Sequence, residues 1–218
     1  MGPRLRGDDS GETLVLLESH VTLRDGEKIL IRPLKLEDAA LYPNFLGEVT
    51  ADELRLRFFA PMREMSHELI DKLIHYDPEH AMAFIAISEA GGRMLGVVRL
   101  HDDPGGDGGE FAILVRSQLK GHGLGWLMMK HMIAYAQEKG LETVHGQVLA
   151  DNTTMLQMCT ELGFHVADDP GERGVKVATL PLHELPALTR TEQSLASRAP
   201  CHVSEANGAL QTRNLCEC

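Results

Sequence analysis

Lys120-Gly-His-Gly-Leu-Gly125 stands between a β-rich run at 109–115 and a long helical pattern that ends at Gly140, and it constrains the chain more than any other segment. Alternate glycines leave backbone N–H groups uncovered and let an anion come close, while a helix beginning at the loop adds its positive end. The loop is therefore an anion cradle. It is not a dinucleotide fingerprint, whose third glycine would fall at Trp126, and it is not a P-loop, because no Gly-Lys-Ser/Thr follows.

The segments around the cradle predict an α/β layered fold. A β-rich run at 28–33 precedes a helical stretch that Pro43 breaks or kinks. Thr50 and Glu53 form a capping box for a second helix, and Ser66 caps a third with Leu69, Leu73 and Ile74 on one face. Two β-branched runs, 81–89 and 93–101, flank Ala90-Gly91-Gly92 as a hairpin. After the strand at 109–115 and its crossover helix come a strand at 143–149, a helix from Thr153 to Leu162, and a last hairpin. One crossover helix gives one parallel strand pair, and the hairpins give antiparallel ones.

At 218 residues the chain suits one domain with tails. Sustained periodicity sets the domain at 22–182, between flexible segments at 1–21 and 183–218. A formal net charge of −11 argues against a partner held by bulk positive charge, so nucleic acid is excluded as a first reading. Apolar runs are too short to span or anchor in a membrane, and three of the four cysteines (Cys201, Cys216, Cys218) crowd the end of the chain, which fits a reducing, cytoplasmic setting. The 11 histidines include no H-E-x-x-H, and His75 and His80 are five apart, so no metal site is expected.

The run Glu110 to Gly125 resembles motif A of the GCN5-related N-acetyltransferases, with Lys120, Gly123 and Gly125 at its loop positions. The run Asn152 to Phe164 resembles motif B, in which an Asn opens a helix that Leu-Gly-Phe closes. The likeness extends from about Val21 to Leu182, and IRPLKLED, LRFF and GRMLGVVRL are most similar to the bacterial Pat-type protein lysine acetyltransferases. It implies a central mixed, mostly antiparallel twisted sheet of six or seven strands flanked by helices. It implies acetyl-CoA as acyl donor, gripped by the backbone of Ile113, Leu114 and Val115, by the loop Lys120, Gly121, His122, Gly123, Leu124 and Gly125, and by Asn152. It implies a protein lysine acceptor, for example on an acyl-CoA synthetase.

Amide formation supplies the chemical requirement. A lysine amine with a pKa of about 10.4 is almost wholly protonated at neutral pH, so a base must take a proton before nitrogen attacks the thioester. Glu110 stands where the resemblance puts that base, and Phe111 and Ala112 beside it are expected to desolvate its carboxylate and raise its pKa. The slot that holds a thiolate-protonating Tyr in many small-molecule members is Cys159 here. Transfer is expected to be direct, in a ternary complex. Trp126, Met128, Met129 and Met132 sit at helical spacing and are expected in the core. Two other readings stay open: a small-molecule amine or antibiotic acetyltransferase, and a non-catalytic acyl-CoA-binding module.

Overall fold

The computed structural model describes residues 17–62 and 65–185. Its strands are β1 (Ser19–Thr22), β2 (Lys28–Pro33), β3 (Ala81–Ser88), β4 (Met94–Asp102), β5 (Gly108–Val115), β6 (Thr143–Leu149), β7 (His165–Asp168) and β8 (Val175–Pro181). Its α-helices are α1 (Tyr42–Leu46), α2 (Ala51–Phe58), α3 (His67–Ile74), α4 (Leu124–Lys139) and α5 (Thr153–Glu161). All eight strands share one sheet in the order β1-β2-β3-β4-β5-β6-β8-β7. Every neighbouring pair is antiparallel except β5–β6, which α4 connects as a crossover. The expected fold class stands, with one strand more than expected.

The extra strand is β1, which falls largely within the segment expected to be flexible up to residue 21. Its four residues carry too little apolar alternation to register in sequence, yet they pair from Ser19↔Ile31 to Thr22↔Lys28, and Val21 packs on the core. At the other end, order runs past residue 182 through a 3-10 turn at Leu182–Glu184, with Leu182 buried. The remainder of both expected tails, 1–16 and 186–218, lies outside the described residues.

Two apolar layers sandwich the sheet. On one face α4 and α5 cover Leu100, Phe111, Val144 and Val148. On the other, α1 to α3 cover Ala83, Ile85, Val97 and Leu114. The caps read from sequence form: Thr50 Oγ1 accepts from Glu53 N at 3.3 Å while Glu53 Oε2 accepts from Thr50 N at 2.7 Å. Ser66 Oγ accepts from Leu69 N at 3.2 Å. Pro43 sits in the first turn of α1, where its missing N–H costs no helical hydrogen bond, so the chain passes from a 3-10 turn at Leu36–Leu41 into α1.

The feature that makes a site possible is a break in the sheet. The β5–β6 ladder covers only Gly108↔Thr143, Gly109↔Val144 and Glu110↔His145, after which the strands diverge. A wedge accounts for this. The Phe111 ring lies where a side chain on Gly146 of β6 would be, within 2.7 Å of an added Cβ, and packs edge-on against Phe164 at 5.4 Å. Only a glycine opposite Phe111 lets that ring occupy the gap. Beyond it the β6-facing edge of β5 has no ladder partner, so its backbone groups must find other acceptors and donors.

Candidate active site

A channel of about 670 Å³ occupies the gap and the space above it, lined by β5, β6, the start of α4, α2 and α5. The cradle forms one end. Gly121 and Gly123 have φ of +80° and +90°, conformations that other residues adopt only with strain. Gly123 is the N-cap of α4 and supplies no side-chain cap, so the first-turn N–H groups that lack an intrahelical acceptor stay available to an anion.

The loop is tied down by a carboxylate that sequence reading assigned only to helix capping. Glu53, 8% exposed, accepts from Lys120 Nζ at 2.7 Å and from the Ser117 hydroxyl in addition to Thr50 N. Burial alone would raise its pKa, but the hydrogen bonds from Lys120, Ser117 and Thr50 outweigh burial and hold it below the usual carboxylate range. Lys120 therefore reaches the channel already paired. Behind it Arg116 is buried, donating to Met94 O at 2.6 Å and Asn44 Oδ1 at 2.7 Å, which fixes the entry to the loop.

Glu110 lies at the other end of the channel and is exposed. Phe111 and Ala112 do not bury it, which corrects the expected desolvation: Phe111 points to the opposite face of the sheet, into the layer beneath α4. The cross-strand neighbour of Glu110 is His101, whose pKa is lowered first by burial and then by Arg99. Arg57 of α2 lines the same end; burial, then Arg99, pulls its pKa down to about 10. Leu56 and Phe59 also line the channel, Phe59 at a φ of 59° where it closes α2.

Of the residues expected to hold the donor, Ile113, Leu114, Val115, Lys120, Gly121, Gly123, Gly125 and Asn152 all line the channel. Two do not. His122 turns toward the β1–β2 turn, its Nδ1 3.4 Å from Asp25 Oδ2, and Leu124 is fully buried in the core. Asn152 also caps α5, accepting from Met155 N at 3.3 Å. Trp126, expected in the core, instead lines the channel with Lys130 Nζ 4.8 Å from its ring centre, whereas Met128, Met129 and Met132 are buried. Cys159 is fully buried and off the channel, and burial pushes its thiol up to about 12, so it serves as neither nucleophile nor acid. Glu53, Arg57 and Trp126 are among the lining residues that sequence reading did not assign to the site. Among the described residues no cluster of His, Cys, Asp and Glu could hold a metal ion, and no helix is long and apolar enough to cross a membrane.

Comparison with known proteins follows the same lines. The acetyltransferase (GNAT) domain model matches residues 28–165. An acetyltransferase of Pseudomonas aeruginosa is 30% identical over 153 residues, covering 69% of this chain and 82% of that protein. The crystal structure of the GNAT domain of S. lividans PAT superposes with a TM-score of 0.70 at 27% identity, covering 76% of this chain and 97% of that one. RimL, a ribosomal L7/L12 alpha-N-protein acetyltransferase in complex with coenzyme A, has a TM-score of 0.60 over 70% of this chain and 93% of its own; at 12% identity the likeness is one of fold.

Proposed function

The chain belongs to the GNAT acetyltransferases, and we propose that it moves an acetyl group from acetyl-CoA to a protein lysine side chain by direct attack in a ternary complex, with Glu110 as general base. The observation that carries this reading is the channel, which joins a glycine cradle at one end to Glu110 at the other along the unpaired edge of β5. The pyrophosphate of the donor suits the N–H groups of the cradle and the start of α4. The pantetheine arm suits the free backbone of Ile113, Leu114 and Val115, and its length brings the thioester toward Glu110.

The amine approaches from the α2 side. Glu110 takes its proton, directly or through water, and nitrogen attacks the thioester carbon. The oxyanion is met by a main-chain N–H of β5, an interaction that lowers such barriers by about 3 kcal/mol. The attacking nitrogen, positively charged in the adduct, gives its remaining extra proton to solvent, and the carbon–sulfur bond breaks. The CoA sulfur leaves as a thiolate, a good leaving group that needs no Tyr in the place of Cys159.

Support for a protein lysine comes from the 27% identity with the GNAT domain of PAT and from the acceptor end itself, where Arg57, Leu56 and Phe59 give a basic and apolar wall rather than the acidic cluster a polyamine would need. The test is mass-spectrometric mapping of acetylated lysines on a folded acyl-CoA synthetase, run beside free lysine, spermidine and kanamycin. Transfer to the synthetase should exceed the small amines by orders of magnitude, because surface complementarity orients an otherwise flexible side chain. Better activity on spermidine or kanamycin would overturn the lysine assignment.

A further inference from the structure

Arg57 stands apart from the other sequestered arginines of the described structure. Arg99, 4% exposed, donates to the Tyr42 hydroxyl at 3.1 Å and to Leu73 O. Arg116 is held by Met94 O and Asn44 and pairs with Glu48, and Arg32 grips both oxygens of Asp38 at 2.7 and 2.8 Å. Arg57 has no hydrogen bond and no ion pair with any described residue; its guanidinium lies over the face of Phe58, 4.7 Å from the ring centre. Arg57 borders a small cavity with Tyr42, Phe45 and Leu73 and also lines the main channel with Glu110.

Part-burial and the repulsion of Arg99 disfavour the charge on Arg57, and the attraction of Glu110 offsets only part of this. At a pKa of about 10 the guanidinium still carries its charge at neutral pH. Glu110 attracts Arg57 without forming an ion pair, so the N–H donors of the guanidinium lack a hydrogen-bond acceptor among the described residues. Acetyl-CoA does not supply one, because its phosphates belong at the cradle, at the far end of the channel. The open N–H donors of Arg57 are therefore placed to meet an anion carried by the acceptor.

We propose that Arg57 is a specificity residue that receives a carboxylate carried by the acceptor close to the amine being acetylated. Resting on the protein-lysine reading, that carboxylate is a glutamate or aspartate flanking the target lysine. Adjacent Cα atoms lie about 3.8 Å apart, so where the acceptor chain turns at the target lysine a flanking side chain enters the acceptor end beside it. The lysine nitrogen then faces Glu110 while the carboxylate replaces the missing partner of Arg57, as a charge-assisted and preferably bidentate pair. No bond is made or broken at Arg57; its effect is on binding.

The experiment compares wild type, Arg57→Met and Arg57→Lys on nonapeptides with a central lysine flanked on either side by Glu or by Gln, and on lysine against cadaverine, which lacks the carboxylate. Wild type should favour the Glu-flanked peptide by about 10- to 100-fold in kcat/KM, mainly through KM, the range for a hydrogen bond to a charged group. The preference should fall to about one in Arg57→Met and be partly kept in Arg57→Lys, with the thermal shift given by acetyl-CoA unchanged in both. Equal rates on the two peptides with wild type would overturn the proposal. So would a preference that survives in Arg57→Met, or an equal loss on both peptides with a displaced pH–rate profile, which would make Arg57 a positioning residue for Glu110. If no peptide reacts but lysine outruns cadaverine only when Arg57 is present, the carboxylate site stands and the protein acceptor falls.

Discussion

Replacing Gly125 by Ala should separate the ligand's requirement for a bare loop from the fold's requirement. Gly125 is the second residue of α4, and a Cβ there would meet Met158 Sδ at 3.7 Å, Val115 Cγ2 at 3.9 Å and Ile113 Cδ1 at 4.0 Å. These are ordinary contacts, and all three partners line the channel, so the methyl group would stand in the space proposed for the donor. Without ligand the change should stabilise the protein by about 0.4–1 kcal/mol, because alanine loses less backbone entropy in a helix. That raises the melting temperature by about 1–4 °C for a domain of this size. Gly123→Ala differs in sign. Its Cβ would meet nothing within 4 Å, but φ is +90°, so the cost is conformational, about 1–2 kcal/mol, and the melting temperature drops by about 2–8 °C. Differential scanning fluorimetry with and without acetyl-CoA reads both effects. At 100 times Kd the wild type should gain about 2.7 kcal/mol, or roughly 5–11 °C. Gly125→Ala should lose most of that gain while melting at or above wild type. A full ligand shift in Gly125→Ala would refute the placement of the donor against this loop, and a large loss of unliganded stability would refute the packing argument.

Glu110→Gln should keep acetyl-CoA affinity and lower turnover by about 10²- to 10⁴-fold at pH 7, the deficit narrowing at high pH as the amine loses its proton unaided; steady-state kinetics showing wild-type turnover at pH 7 would remove it as the base. Glu53→Gln should lower stability by about 1–2 kcal/mol in urea titrations, because Lys120 loses its charged partner and half-exposed Lys120 limits the gain; with the Glu53 pKa held low, that difference is present above about pH 4.5 and fades as pH falls through the lowered pKa, so a constant difference down to pH 3 would contradict the assignment. His131, buried with its pKa pulled down from 6.5 to about 4, binds a proton less readily folded than unfolded, so stability should fall as pH drops from 6.5 to 4 by at most about 1.4 kcal/mol per pH unit and level off below; an unchanged slope in His131→Gln would show that other groups set it.

Local signals made most of the fold legible. The capping pairs at Thr50 and Ser66, the Gly140 stop and the Ala90-Gly91-Gly92 turn each act within a few residues, and the structure keeps them. The β1 strand escaped because four residues carry no period worth reading, and it exists only because β2 offers an edge. The site divides the same way. The cradle lies in one continuous loop, and so it could be seen. Glu53 reads as a capping residue because its second task depends on Lys120 arriving from another element, and Arg57 carries no local signal because its place beside Glu110 depends on α2 packing over β5. Phe111 was expected to dehydrate Glu110, but neighbours along a strand point to opposite faces, and its ring works on the other side, against Gly146.

That wedge and the charges around it make the proposed acidic donor compatible with an acidic protein. The chain carries a formal charge of −11, yet the charged residues lining the channel are balanced, with Arg24, Arg57 and Lys120 against Glu53, Glu110 and Glu161. Lys120 and Glu53 largely cancel at the cradle, which leaves the attraction for phosphate to neutral backbone donors and the end of α4. Such donors are oriented by the fold itself. They need no counter-charge when the site is empty, unlike a cluster of lysines, and Phe111 prying β5 from β6 exposes a second set of them along the strand. Net charge excludes partners that bind through bulk electrostatics, but it does not weigh against a ligand held by the main chain.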